Sequence, residues 1–156
     1  MADTVSPAVR SRIMGSIRSR GNRTTEIRLA RLLGAAGILG WRRHARIAGC
    51  FPDFAFPLRR LAVFVDGCFW HGCPAHFKPP SSNRGYWGPK MAGNRERDRA
   101  APARLSRAGW RAIRIWEHEL DDPRRAIGRI LSALGIAPPV RAEVHRRAEG
   151  DRPLDR

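Results

Sequence analysis

The chain has 156 residues, a length that fits one domain of ordinary size. Its 42% hydrophobic content can fill a single core, yet no run approaches the ~18 apolar residues of a membrane span, which excludes an integral membrane protein. Thirty Lys+Arg against fourteen Asp+Glu leave a net charge of +16, an excess that self-repels unless a polyanion such as nucleic acid neutralises it.

All the basic residues except Lys78 and Lys90 are arginine. A GC-rich coding sequence is the plainer source of such a bias. The start of the chain has no apolar stretch of the kind that directs secretion. Three cysteines, Cys50, Cys68 and Cys73, argue for a reducing cytoplasm rather than a disulfide scaffold.

Residues 1–23 read as a basic N-terminal arm, with Arg10, Arg12, Arg18, Arg20 and Arg23 against Asp3 and few apolar groups. Thr24 or Thr25 can cap a helix running to Ala36, with Leu29, Leu32, Leu33 and Ala36 on its apolar face. Trp41–Ile47 reads as an edge strand, Pro52–Phe56 as a short strand and Leu61–Val65 as a buried central one, with a turn at Pro57–Arg60. Residues 67–89 are rich in Gly and Pro and read as a long loop that something must pin.

Lys90–Ala108 reads as a polar helix with Met91, Ala101, Leu105 and Ala108 inward, kinked or split at Pro102. Trp110–Trp116 is a further strand, with Ile113 and Ile115 on one face. Asp122-Pro123 starts a last helix that buries Ile127, Ile130, Leu131 and Leu134 and stops at Gly135. Residues 24–136 therefore form the folded domain, and 137–156 read as a disordered tail. This order of helices and strands gives a mixed α/β domain with a small central sheet.

The densest chemical signal is the run from Phe64 to His76, where two thiols and two imidazoles fall close together. Cys68-x4-Cys73-x2-His76 offers three ligands from one loop, and zinc takes four in a tetrahedron. His118, just past the strand ending at Trp116, is the best source of the fourth. A closed set makes the ion structural and explains how such a loop stays ordered. Spacing leaves open whether His71 or His76 is the ligand; buried thiols beside surface histidines are the plainer alternative.

A second signal is Pro52-Asp53-Phe54 followed by a strand that ends in Asp66, which brings two carboxylates to one end of a hairpin. Hard cations such as Mg²⁺ take such oxygens, although Asp is also common at strand ends for turn chemistry alone. His71, if free of zinc, could take a proton from an attacking water.

These residues resemble the very short patch (Vsr) mismatch-repair endonucleases, bacterial enzymes with a restriction-endonuclease-like fold. The likeness spans about residues 7–134. It rests on Arg10-Ser11-x-x-Met14, Glu26, Gly49, Pro52-Asp53-Phe54, Phe64-Val65-Asp66-Gly67-Cys68-Phe69-Trp70-His71, Trp87-x-x-Lys90, Asn94-x-x-Arg97-Asp98, Gly109-Trp110-Arg111 and Trp116-Glu117.

The resemblance implies a small central mixed sheet flanked by helices, with a structural zinc site. It implies Mg²⁺-dependent hydrolysis on the 5′ side of the thymine in a T:G mismatch left by 5-methylcytosine deamination. Asp53 matches the metal-binding aspartate and Val65 the main-chain carbonyl ligand. His71 matches the general base, and Glu26, Asp66 and Asp98 fall at acidic or supporting positions. The zinc set maps to Cys68, Cys73, His76 and His118. Phe69, Trp70 and Trp87 match an aromatic wedge, Met14 its minor-groove counterpart, and Lys90 and Asn94 the base-reading segment.

Duplex DNA with a T:G mismatch is then the partner of a monomeric protein, with mismatch-repair proteins as further partners, in the cytoplasm and on the nucleoid when bound. Asp66 departs from a histidine of some members, which leaves its role open among metal ligand, proton relay and helper. Cys50 is left as a free thiol. A restriction-type endonuclease of the same fold and a non-catalytic zinc-containing DNA-binding module are the competing readings. A structural RNA-binding protein fits the charge but leaves the acidic and aromatic features idle.

Overall fold

The computed structural model describes residues 25–79 and 84–137. The basic arm with Met14, Thr24 as an alternative cap, and the tail from residue 138 onward lie outside the described residues. Helix α1 is Glu26–Ala35 and strand β1 is Arg42–Arg43. Strand β2, Phe54–Phe56, leads through the 3₁₀ turn Pro57–Arg59 into β3, Leu61–Asp66. Helix α2 is Arg84–Arg107 and strand β4 is Arg111–Trp116. A second 3₁₀ turn, Glu117–Asp121, precedes α3, Pro123–Leu134.

The four strands form one sheet in the order β1-β2-β3-β4. The β1–β2 and β2–β3 pairs are antiparallel, whereas β3 and β4 run parallel with Asp66 opposite Trp116. This mixed sheet with helices on both faces is the architecture expected from the element order. None of the described helices is long and apolar enough to cross a membrane.

Period-two alternation along β3 explains the layers. Leu61, Val63 and Val65 join Phe54, Phe56 and Ile115 in a core closed by Leu29 and Leu33 of α1 and by Ile130 and Leu134 of α3. Ala62 and Phe64 point to the other face, where they meet Ala101 and Leu105 of α2 and Ala112 of β4. Asp66 has the parity of Ala62 and Phe64, so the strand's own pleat turns it toward α2.

Several local expectations needed correction. The edge strand is two residues rather than seven, because left-handed backbone at His44 (φ 53°) and Ala48 (φ 50°) bends the chain off the sheet. Thr25 sits at the N-cap of α1 without a side-chain capping bond. Ala36 and Ala108 are exposed, beyond the packed faces of their helices. Asp122 does cap α3, accepting from the Arg125 N–H at 3.1 Å.

The largest difference concerns α2. It begins at Arg84 rather than at Lys90, and it runs unbroken through both Pro89 and Pro102. Met91, Ala101 and Leu105 are buried at helical spacing on one face, and Asn94 and Asp98 belong to the same stripe. Packing of Ala101 and Leu105 against the sheet holds the helix across Pro102. Proline has no N–H to give to the carbonyl four residues back, which here is Asp98. The Arg114 side chain takes that carbonyl instead, at 3.4 Å.

The Pro102→Ala variant should therefore be more stable than the native chain. The interior penalty of ~3 kcal/mol, less the ~0.4–1 kcal/mol of entropy that proline removes from the unfolded chain, leaves a gain of about 2 kcal/mol. Reversible urea denaturation measures it as a higher midpoint with unchanged slope.

Candidate active site

The C-terminal end of β3 is where chemistry-bearing side chains converge. Asp53 precedes β2 and Asp66 closes β3, so the hairpin brings both carboxylates to its open end, as its sequence implied. The Asp53 Oδ2 accepts the Val65 N–H at 2.7 Å, which locks that carboxylate to the neighbouring strand. Beside them opens a cleft of about 570 Å³, lined by Glu26, Asp53, Asp66, Trp70, His71 and Asp98 among others. All five residues expected to carry or support catalysis thus face one space.

Their hydrogen bonds divide them into three groups. Glu26 is buried and bonded by Arg43 at 2.8 Å, with His44 Nε2 at 3.3 Å. His71 Nδ1 lies 2.7 Å from Asp98 Oδ2 and 3.7 Å from Asp66 Oδ1. Arg114 spans the remaining oxygens, with Nη1 2.5 Å from Asp66 Oδ2 and Nη2 3.0 Å from Asp98 Oδ1. Asp53 has no cationic hydrogen-bond partner among the described residues.

Electrostatics follow from these partners. Burial pushes Asp53 up to about 6, the Val65 N–H opposes it, and the nearby Glu26 and Asp66 charges reinforce it. Burial also raises Asp66, with His71 and Arg114 only partly offsetting it. Burial alone would lower His71, but its bond to Asp98 and the charge of Asp66 outweigh that and raise it. Burial would raise Asp98; the His71 bond and Arg114 overcome it, and its carboxyl lies below the usual range. Asp53 is therefore the carboxylate that lacks a cation. A hard divalent ion fits there, since Asp66 and Asp98 are already engaged.

The loop after β3 carries a second cluster. The ligand atoms of Cys68, Cys73, His76 and His118 all lie within 4.8 Å of one another. Cys68 Sγ is 3.2 Å and Cys73 Sγ 3.6 Å from His118 Nδ1, and Cys73 Sγ is 3.7 Å from His76 Nδ1. A tetrahedral ion with bonds of about 2.3 Å to sulfur and 2.05 Å to nitrogen has S···N edges of roughly 3.6 Å. The donor set fits such an ion, and His71 stands outside it. Burial, then the adjacent Cys73 thiol, push the Cys68 thiol up against the pull of His118. The Cys68 N–H also donates to Glu117 at 3.3 Å, which fastens the loop to the end of β4.

Trp70, which lines the cleft, belongs to a cluster of aromatic rings. Phe69 packs edge-on against Trp70 and Trp87, at centroid distances of 5.2 and 5.5 Å. Lys90 Nζ lies 5.5 Å from the centroid of the Trp70 ring and 5.5 Å from that of Tyr86. Asn94 donates to the Trp70 carbonyl at 3.1 Å and accepts from Arg97. It thereby ties the ring-bearing loop to α2. Gly72 is left-handed (φ +66°), and a Cβ there would strike the Arg95 guanidinium.

Sequence reasoning missed Arg114. Its signal was an arginine in mid-strand between Ile113 and Ile115, on the face shared with Ala112, where partial burial calls for a partner. It also missed Arg43 and His44 as partners of Glu26, because their strand ends where the chain bends.

The comparisons with known proteins agree with one another. The family described as DNA mismatch endonuclease Vsr matches residues 2–76. Type II nicking enzyme V.NaeI of Lentzea aerocolonigenes is 54% identical over 44% of this chain, a match that spans only 41% of that protein. Type II nicking enzyme V.XorIIP of Xanthomonas oryzae pv. oryzae is 40% identical over 78% of this chain and 89% of its own length. DNA mismatch endonuclease Vsr of Escherichia coli is 38% identical over 75% of this chain and 74% of its own.

The raised Asp53 gives a stability test. A carboxylate with a folded pKa near 6 and an ordinary value of 3.8 favours the fold most below 3.8. That advantage is lost as pH rises through about 6. Asp53→Asn, which keeps an acceptor for Val65, should stabilise the protein by ~2–3 kcal/mol at pH 7.5 without added divalent cation. The gain should shrink toward zero at pH 4 in parallel denaturation series.

Proposed function

This chain belongs to the Vsr family of DNA mismatch endonucleases, and we propose that it nicks one strand of duplex DNA 5′ to the thymine of a T:G pair, the lesion left when 5-methylcytosine deaminates. The observation that carries this reading is the pairing of an Asp98-bound imidazole with a half-buried carboxylate that has no cationic hydrogen-bond partner among the described residues, in one cleft.

His71 is the general base. With Nδ1–H given to Asp98, the tautomer leaves Nε2 as the acceptor for a proton of the attacking water. That water adds to the phosphorus as the bond to the leaving oxygen breaks. Asp53, with the Val65 main-chain carbonyl, would hold Mg²⁺. Mg²⁺, when bound, neutralises charge on the phosphate oxygens. Glu26 and Asp66 keep the space around Asp53 anionic and cation-selective. Zn²⁺ on Cys68, Cys73, His76 and His118 is structural, a closed set that orders the loop bearing His71.

Substrate choice rests on the rings and the charge. Phe69 and Trp70, backed by Trp87, enter the base stack from one side, and Met14 of the arm enters from the minor groove. Unstacking a base step costs a few kcal/mol and less at a mismatch, so T:G is favoured over paired sequence. Lys90 reads the bases near the inserted rings, while Asn94 braces them. The arginines of α2, among them Arg95, Arg99, Arg104 and Arg107, contact phosphates and add affinity without sequence information.

Labelled T:G and C:G duplexes test the reading directly. One strand of the T:G duplex should be cut, only with Mg²⁺ present, and the C:G duplex should stay intact. His71→Ala should slow nicking by roughly 10³-fold while mismatch affinity stays within about threefold; loss of binding would make His71 structural. Native protein should carry about one zinc per chain by elemental analysis. Cys73→Ser should lose the ion and melt at a clearly lower temperature; a metal-free native preparation that is fully folded refutes the zinc assignment.

A further inference from the structure

Two carboxylates compete for one imidazole nitrogen. Asp98 Oδ2 holds His71 Nδ1 at 2.7 Å, while Asp66 Oδ1 stands off at 3.7 Å. Something must keep Asp66 back and present the correct oxygen of Asp98. Arg114 is the group placed to do both.

Its Nη1 takes Asp66 Oδ2 at 2.5 Å, and its Nη2 takes Asp98 Oδ1 at 3.0 Å. With Oδ1 so engaged, Oδ2 is the oxygen left for His71. Nη2 also approaches the Asp98 main-chain carbonyl at 3.4 Å, the acceptor that Pro102 leaves without its helical donor. The guanidinium carbon lies 4.8 Å from the centroid of the Phe64 ring, which fixes the plane of the fork from one face. From its place on β4, Arg114 thus contacts β3 and α2 at once.

We propose that Arg114 is a positioning residue of the nicking reaction: it ties Asp66 to Asp98 and so fixes the His71 imidazole on Asp98. The proposal rests on the nicking function given above. In this role Arg114 acts through Asp66 and Asp98 rather than on the reacting atoms. Its planar fork matters more than its charge, because a lysine ammonium is a single point and cannot span two carboxylates in fixed geometry. Displacing a catalytic base by about 1 Å can cost ~10²-fold in rate, which sets the size of the expected effect.

The test uses the full chain with its metals and a saturating T:G duplex. Arg114→Met should lower kcat by ~10²-fold and Arg114→Lys by ~10-fold, with duplex Kd within about threefold of native. Arg114→Lys keeps a cation beside Asp66 and guards against a folding failure of Arg114→Met. The second readout is the ¹⁵N-edited imidazole proton of His71, assigned by its loss in His71→Asn. It should move upfield in both Arg114 variants as its bond to Asp98 loosens.

Folded variants with kcat within threefold of native, or an unmoved His71 resonance, overturn the proposal. If native protein fails to nick while Arg114→Lys still displaces the His71 resonance, positioning stands and the nicking reading falls.

Discussion

The register of β3 is the constraint on which the site depends. Side chains on a strand alternate between faces, so sliding β3 by one residue would exchange its core and cleft sets completely. In the observed register Val63 pairs with Phe54 and with Ile113, which commits Leu61, Val63 and Val65 to the core of α1 and α3. Asp66 is thereby forced to the α2 face, and the Val65 amide is brought to Asp53 at 2.7 Å. The apolar core thus places the polar site, and Val65 joins the two, its side chain in the core and its amide on Asp53.

The loop that follows β3 does two jobs with one backbone. Within a few residues it supplies two thiols to the cysteine–histidine cluster and the imidazole to the cleft. Its rings, Phe69, Trp70 and Phe77, stay partly exposed, so burial alone does not hold the segment. Its fastening to β4 through Glu117 and His118 takes the place of a core. Because β3 and β4 run parallel, both strands end at the same edge of the sheet, and Cys68 and His118 emerge side by side.

Charge is sorted by depth. The chain carries +16 overall, yet the floor of its cleft gathers Glu26, Asp53, Asp66 and Asp98. A cationic exterior draws a polyanion toward the protein, and a buried acidic floor holds what a phosphate needs at close range, a divalent ion and an oriented base. Three of the four carboxylates are hydrogen-bonded by guanidinium groups, from Arg43 and Arg114. Asp53 takes the Val65 amide instead, and burial raises its pKa to about 6.

The amino-acid sequence by itself determined the local elements with strong periodicity or clear punctuation. β3 was legible from its unbroken apolar run, α3 from Asp122-Pro123 and Gly135, and a cysteine–histidine cluster from residue spacing, with the choice of His76 over His71 coming from the family resemblance. The family's motifs named the residues that line the cleft. Tertiary structure alone decided that α2 passes straight through Pro102, because the proline penalty is local while the packing of Ala101 and Leu105 that overrides it comes from distant strands. It also decided the role of Arg114. Asp66, Asp98 and Arg114 are far apart along the chain and share no periodic pattern; only the parallel β3–β4 pairing with α2 laid across it brings them within hydrogen-bonding distance.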